Sequence, residues 1–493
     1  MSMWRHCNLV VAAAVTTAAL LAGCAVGPDY SRPKPDMPVT WKLEPPWREA
    51  TPNDAAPKGP WWERFGDAKL NALEQQAMAD NATLAAAGAR LEQSRAVLAG
   101  ASAGQFPQAG IGFRANRLEI SSNRPLNSYA SPQFSTVQND FVPLLQVGYE
   151  LDIFGRVRRT IEGARASAEQ SAIDLENVRL LISADLAAAY FSLRALDTEL
   201  DVLSRSIGLQ RRSLQLVTDR HDLGAASGLD VAQQQALLDS TMTQVDLLKR
   251  QRGVFEHAIA TLTGTPAPTF SLAIDLEMPI PPEIPVGVPS DVLERRPDVA
   301  SAERAMAAAN AQIGIATAAF FPSINLFGTY GYESRDIDKL FATQSFIWSA
   351  GVSIFQPLFD AGRIQANVDF TKGGYSVTAA NYRRIVLTAM QEVQDGITGV
   401  ARLDSASAQA GKAIASANRA LDLASARYEG GISTYLEVIV AQQALLNNER
   451  LAAQLLGQRM LASVFLVKAL GGDWPGTKGM ANTRRKPETA ASR

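Results

Sequence analysis

The feature that most narrows what this chain can fold into is an absence. No proline stands between Pro143 and Pro266, and none between Pro357 and Pro475. Proline removes a backbone donor and clashes with the turn before it, so each of these spans is open to unbroken helix. In the first, Leu193, Leu200, Ile207 and Leu214 recur every seven residues, with Leu196, Leu203 and Val217 as a companion row and Gln210 as its polar member. That spacing is the a/d seam of a coiled coil. A single helix over residues 160–219 would be roughly 90 Å long at 1.5 Å per residue. A rod of that length cannot bury its stripe in a small domain of its own, and needs neighbours of equal length.

Each span carries one interruption. RHDLGAASGLDV occupies 220–231 and RYEGGISTYLEV occupies 427–438, an offset of 427 − 220 = 207 residues. Gly224 and Gly228 break the first span, Gly430 and Gly431 the second. Glycine lets a helix end in a left-handed turn, so each span is expected to be a helical hairpin with the quoted stretch at its tip. The chain then reads as a tandem duplication, which suits its 493 residues.

Before each hairpin the apolar period changes from helical to two. In LLQVGYELDI (144–153), Leu145, Val147, Tyr149, Leu151 and Ile153 share one face. In SFIWSAGVSI (345–354), Phe346, Trp348, Ala350, Val352 and Ile354 oppose Ser345, Ile347, Ser349, Gly351 and Ser353. QAGIGFRAN (108–116) sets Ala109, Ile111, Phe113 and Ala115 against Gln108, Gly110, Gly112, Arg114 and Asn116, and PSINLFGTY (322–330) alternates more weakly. These are two strand pairs, with polar loops at about 119–142 and 333–344. Taken singly, each strand reads as an ordinary half-buried one. Together, the small polar face suits a water-filled lumen, and lengths near ten residues suit a tilted membrane strand. Tyr149, Phe346, Trp348 and Phe113 are the expected lipid-facing residues.

The N-terminus gives the compartment. Arg5 and His6 precede the apolar run LVVAAAVTTAALLA (9–22), and LAGC (21–24) follows. The run is too short to span a bilayer and reads as an export signal. Cys7 would leave with it, and Cys24 would be the mature chain's one thiol, which excludes an internal disulfide. LAGC resembles the lipobox of bacterial lipoproteins, whose cysteine is acylated. Ala25 rather than Asp follows, which by that resemblance favours the outer membrane. A single acylated end anchors a protein without spanning the bilayer.

The resulting division is 1–23 signal peptide, 24–60 lipid-anchored extended strap, 61–264 first repeat, 265–290 proline-rich linker, 291–472 second repeat and 473–493 tail. Each repeat is a helix, a strand pair (about 106–153 and 321–357) and a helical hairpin. WWERFGDAKLNALEQQAMADNATLAAAGARLEQSRAVLAGA (61–101) and DVLERRPDVASAERAMAAANAQIGIATAA (291–319) read as helices, with Pro297 near a helix start. Four strands cannot close a barrel, and lipid does not tolerate an open sheet edge. Barrels must be shared between chains. Two chains would give an interior filled by side chains, and three the smallest count that leaves a passage.

LAGC, WWERFGD, LERRPDV, the paired strands and tips of the form R-Y-x-x-G-x-x-x-Y-L-x-V together resemble the TolC/OprM superfamily of outer-membrane efflux ducts, in its lipoprotein branch. The likeness covers roughly residues 25–475. It implies an α+β membrane protein: a trimer whose twelve strands form one outer-membrane β-barrel, continuous with a periplasmic α-helical coiled-coil barrel. It implies a periplasmic adaptor and an inner-membrane pump, usually of the RND type, as partners, and passive exit of small molecules as the function. By matching position it makes Arg427 and Tyr428 link residues that close the tips and Leu436 the apolar ring, with Arg220, Leu229 and Asp230 as gate or tip residues of the first copy. A carboxylate ring one turn further on is common in the family. Val440 stands there in this chain, and Glu437 and Asp230 are the nearest acids. Three like charges near an axis would repel one another and attract cations, whereas acids in a helix's first turn are stabilised by its dipole.

GASAG (100–104) has the G-x-S-x-G pattern of a nucleophile elbow, but the expected element order is helix then strand, the reverse of what that motif needs. No phosphate loop, dinucleotide fingerprint or metal-ligand spacing is present. The expectation is no enzyme and no cofactor beyond the lipid on Cys24, with energy supplied by a partner. The net charge of −2 gives no sign of nucleic acid. The competing reading is a lipid-anchored periplasmic coiled-coil scaffold that does not span the membrane. The transported substrate is not written in the sequence.

Overall fold

The computed structural model describes residues 25–32, 60–119, 137–282, 284 and 295–472. The expected signal segment, Cys24, most of the extended strap and the C-terminal tail lie outside the described residues. The chain forms two compact units. One is built from parts of 1–33, 91–170 and 302–382, the other from parts of 34–90, 171–301 and 383–493.

After a short 3-10 turn at Trp61–Phe65 come α1 (Ala68–Asp80), α2 (Ala82–Ala103), β1 (Gln108–Glu119), β2 (Val137–Glu150), α3 (Arg156–Asp222) and α4 (Gly228–Leu262). The second half supplies α5 (Pro297–Ala318), β3 (Ser323–Tyr332), β4 (Phe346–Phe355), α6 (Arg363–Glu429) and α7 (Tyr435–Ala469). Lengths recur between the halves. α2 and α5 each have 22 residues, α3 and α6 each 67, and α4 and α7 each 35. The offset is 297 − 82 = 215 before the strands and 363 − 156 = 207 after them, so the first strand pair and its loops are longer by 215 − 207 = 8 residues. A helix of 67 residues is roughly 100 Å long.

The expected continuous helix over 61–101 is in fact interrupted. Asp67 caps α1, its Oδ1 accepting from Lys69 N and Leu70 N. Asn81 then ends α1 and caps α2, accepting from Thr83 N at 2.9 Å and Leu84 N at 3.0 Å, while its Nδ2 donates to Leu262 O at 2.8 Å. Asparagine competes with the helix for these local bonds, and here the competition wins because both ends of its amide are used.

The four strands form one antiparallel sheet in the order β1-β2-β3-β4, rather than two separate pairs. Its register joins the expected faces into continuous rows. Ile111, Leu145, Tyr330 and Trp348 lie side by side on one face, and Gly110, Gln146, Thr329 and Ser349 on the other. β2 begins at Val137, earlier than the alternation suggested. Pro143 does not stop it. The β2–β3 ladder starts at Leu144, and Phe141 bridges Ser334 on the far side of the proline, so the missing N–H falls in a gap. On the polar face Phe327 is a large apolar exception, as are Leu144, Ile347 and Phe355. The Phe327 ring lies over Gly351, where a Cβ would come within 2.7 Å.

The heptad seam packs as expected. Leu193, Leu203 and Val217 are fully buried. Leu186, Tyr190, Phe191 and Leu193 pack with Val393, Ile397, Met460 and Val464 in one core. A second core near the hairpin ends joins Val217, Leu421, Tyr435, Val438 and Leu445. Beside the first, an ion cluster holds the linker. Asp197 accepts from Arg252 Nε at 2.6 Å and Arg194 Nη1 at 3.3 Å, while those arginines donate to Leu272 O and Ala273 O at 2.7 and 3.0 Å.

Candidate functional site at the hairpin tips

Both tips close with the same pair of backbone bonds. Ala225 N donates to Arg220 O and Gly224 N to His221 O in the first, Ile432 N to Arg427 O and Gly431 N to Tyr428 O in the second. This is the Schellman arrangement, which requires a left-handed residue. Gly224 and Gly431 supply it, with φ of 75° and 72°. The other two tip glycines do different things. Gly228 opens α4, and Gly430 follows the last residue of α6 without positive φ.

From these turns a set of side chains runs through all four helices. The Arg220 guanidinium lies over the Tyr428 ring, 4.8 Å from its centroid. Tyr428 meets Tyr435 edge to face at 4.9 Å. The Tyr435 hydroxyl donates to Gln234 Oε1 at 3.0 Å, and Gln234 Nε2 donates to Gln210 O at 3.1 Å. Burial pushes the Tyr435 hydroxyl pKa up to about 12, so it stays a donor at neutral pH. The Tyr428 hydroxyl is buried and has no partner among the described residues. Tyr428 therefore contributes its ring to this set.

The two tip acids occupy equivalent places and have different partners. Asp230 closes a capping box with Ser227: its N–H donates to Ser227 Oγ at 3.2 Å, and its carboxylate accepts from Ser227 N at 3.1 Å. Thr434, the matching residue before α7, makes no such side-chain bond. Glu437 instead lies 3.6 Å from Arg427 Nε. Both acids thus have a local partner. Leu229, Leu436 and Val440 are exposed in the single chain. Sequence reasoning singled out Arg220, Tyr428, Arg427 and Glu437, and the structure brings these together in pairs. It missed Tyr435, Gln234 and Gln442, whose Nε2 donates to Ser213 Oγ at 2.8 Å. Tyr435 was visible as the second tyrosine of the quoted stretch; the glutamines had no signal beyond being polar on an apolar seam.

Elsewhere, Trp348 and Phe113 are 68% and 63% exposed on the apolar face of the sheet, with Phe346 and Tyr149 on the same face. Ser102, centre of the elbow-like GASAG, sits inside α2 and donates to Leu98 O. Among the described residues no group of acidic, histidine or cysteine side chains is arranged to hold a metal, and no helix is long and apolar enough to cross a membrane.

A model of one family, the outer membrane efflux proteins, matches the chain twice, over residues 73–265 and 288–472. The chain belongs to that family. It is 31% identical to the toluene efflux pump outer membrane protein TtgC of Pseudomonas putida over 480 residues, covering 96% of this chain and 97% of that one. It is 30% identical to the pyoverdine export outer membrane protein OpmQ of Pseudomonas aeruginosa over 478 residues, with the same coverage of each. Its fold matches the solved outer-membrane channel OprN with a TM-score of 0.82 at 28% identity, covering 92% of this chain and all of that one. As in those family members, helices dominate and one small sheet completes the fold. The chain is an outer-membrane efflux channel protein.

Proposed function

We propose that the chain works as a homotrimeric, passive exit duct of a tripartite efflux pump, with a periplasmic adaptor and an inner-membrane transporter, of RND type, supplying the energy. The observation that carries this reading is the sheet. Ile111, Leu145, Tyr330 and Trp348 form an exposed apolar row on one face, and Gly110, Gln146, Thr329 and Ser349 a small polar row on the other. Lipid outside and water inside call for that arrangement. The free edges of β1 and β4 call for pairing with further copies, and three copies give twelve strands. Twelve helical segments from three duplicated chains would form the periplasmic barrel, and the tips would close it.

The division into signal peptide (1–23), acylated Cys24 with its strap, two repeats joined by the linker at 265–290, and a tail at 473–493 belongs to the same reading. So does the absence of catalysis or cofactor. The relatives are named for toluene and for pyoverdine at nearly equal identity to this chain, which suits a duct whose cargo is chosen by its pump. The non-spanning scaffold has no use for the exposed aromatic row.

Planar-bilayer conductance of the purified, folded protein tests this. Small discrete steps are expected from a spanning oligomer with a nearly closed tip. Silence from wild type and from a tip-loosened variant alike would leave the scaffold.

A further inference from the structure

Residues 25–32 form neither helix nor strand, yet one side chain after another holds them. Val26 N donates to Phe154 O at 3.1 Å. Arg159, 5% exposed, donates through Nε to Val26 O and through Nη2 to Gly27 O, both at 3.3 Å, and through Nη2 to Asp29 Oδ1 at 2.7 Å. From α5, Asn310 Nδ2 donates to Pro28 O at 2.9 Å, and Glu303 accepts from the Tyr30 hydroxyl at 3.2 Å and pairs with Arg32 at 3.5 Å. Asn310 and Glu303 are each 5% exposed as well. Glycines clear the path. A Cβ on Gly27, whose φ is +92°, would come within 2.6 Å of Gly314 Cα, and one on Gly155 within 2.8 Å of Ala25 Cα.

Arg159 also donates through Nη1 to Glu162 at 2.7 Å, but its other donors, Asn310 and Glu303 turn to this one irregular segment, and buried polar groups are costly to leave unpaired. The internal repeat supplies a control. At the element offsets of 207 and 215, Arg159 corresponds to Ala366, Asn310 to Arg95, Glu303 to Gly88 and Gly314 to Ala99. None of the four is kept at these equivalent positions, which hold no such segment among the described residues.

We infer that Arg159, Asn310 and Glu303 form a clamp for residues 25–32, and that this clamp sets where the acylated end of the chain sits, at the junction of β2 and α3. The inference rests on the acylation of Cys24 proposed above. Val26, held by Phe154 and Arg159, is two residues from Cys24 in the sequence, so the clamp fixes the chain directly beside its attachment point. The anchor is a positioned attachment, distinct from a loose tether. Arg159, Asn310 and Glu303 act as positioning residues.

The test is a nitroxide on Ser31→Cys in the full-length protein, its mobility read by electron paramagnetic resonance. The wild-type background is expected to give an immobilised spectrum, and so is Cys24→Ser. Arg159→Ala and the milder Glu303→Gln are expected to raise mobility severalfold while the heat-sensitive oligomer band shows the fold intact. Unchanged spectra in both variants would overturn the clamp. Equal loosening by Cys24→Ser would also overturn it, because the lipid would then be what holds the segment. Intact mass of the mature N-terminus separates this from the underlying reading: without an acyl group, the anchor reading of Cys24 fails and the inference fails with it.

Discussion

Arg220 at the end of α3 stacks on Tyr428 at the end of α6, its guanidinium carbon 4.8 Å from the ring centre. The contact joins two hairpins of one chain at the point where both turn. Both groups are half-buried; a cation over an aromatic ring contributes about 0.5–1 kcal/mol at an exposed site and more when desolvated, so its loss multiplies an open population at least about two- to fivefold. Arg220→Ala and Tyr428→Ala are expected to raise single-channel conductance or open probability by that order. Tyr428→Phe is expected to leave it unchanged, because the hydroxyl has no partner among the described residues. A rise in the phenylalanine variant would assign the hydroxyl a bond to a neighbouring copy.

Tyr435 and Gln234 tie the second hairpin to the first from the inside. Tyr435→Phe removes the donor to Gln234 Oε1 in a site that is fully buried. The expected cost is about 1–3 kcal/mol, read as a lower melting temperature in detergent. Replacing both residues together with apolar ones should cost less than the single change.

Glu74 is fully buried beside Leu70, Leu73 and Ala77, and neither carboxylate oxygen has a partner among the described residues. Burial alone pushes its pKa up to about 9. The folded chain therefore keeps a proton that the unfolded chain has released once pH passes the usual carboxylate range. Stability falls as pH rises from that range toward 9. Glu74→Gln should melt close to wild type at pH 5 and clearly higher at pH 8. Parallel pH profiles would mean Glu74 has a partner in the assembled protein.

Asp197 is buried between Arg194 and Arg252. Asp197→Ala removes the carboxylate the two arginines share and leaves Arg252 with Glu256 and Arg194 with the more distant Asp275, at an expected cost of about 1–3 kcal/mol. Those arginines also hold the backbone of the linker, so protease should cut near residues 267–282 sooner in the variant. Thermal melting and the position of the first cut check this together.

The architecture was legible where the pattern is local and repeats. Alternation marked all four strand faces because side chains point to opposite sides with a period of two, and the seven-residue repeat marked the seam of α3. The tip stretches announced themselves by recurring. What stayed hidden depends on distant partners. Nothing in the composition around Asn81 distinguishes a cap from a mid-helix asparagine; the decision comes from Leu262 O, far along the chain. Pro143 looked like a strand boundary because the gap in the neighbouring ladder is set by β3. The clamp on residues 25–32 draws on Arg159, Asn310 and Glu303, which share no motif and meet only once the two repeats are folded.

The equal lengths of α3 and α6, and of α4 and α7, carry a further consequence. One extra residue in a helix turns everything beyond it by about 100° and lifts it by 1.5 Å. A single insertion in α3 alone would swing Arg220 off the face of Tyr428 and drag Gln210 out of reach of Gln234. Helix length is thus a shared gauge, and any change must be entered twice. The strand pairs with their loops answer to no such gauge: the first is already eight residues longer than the second.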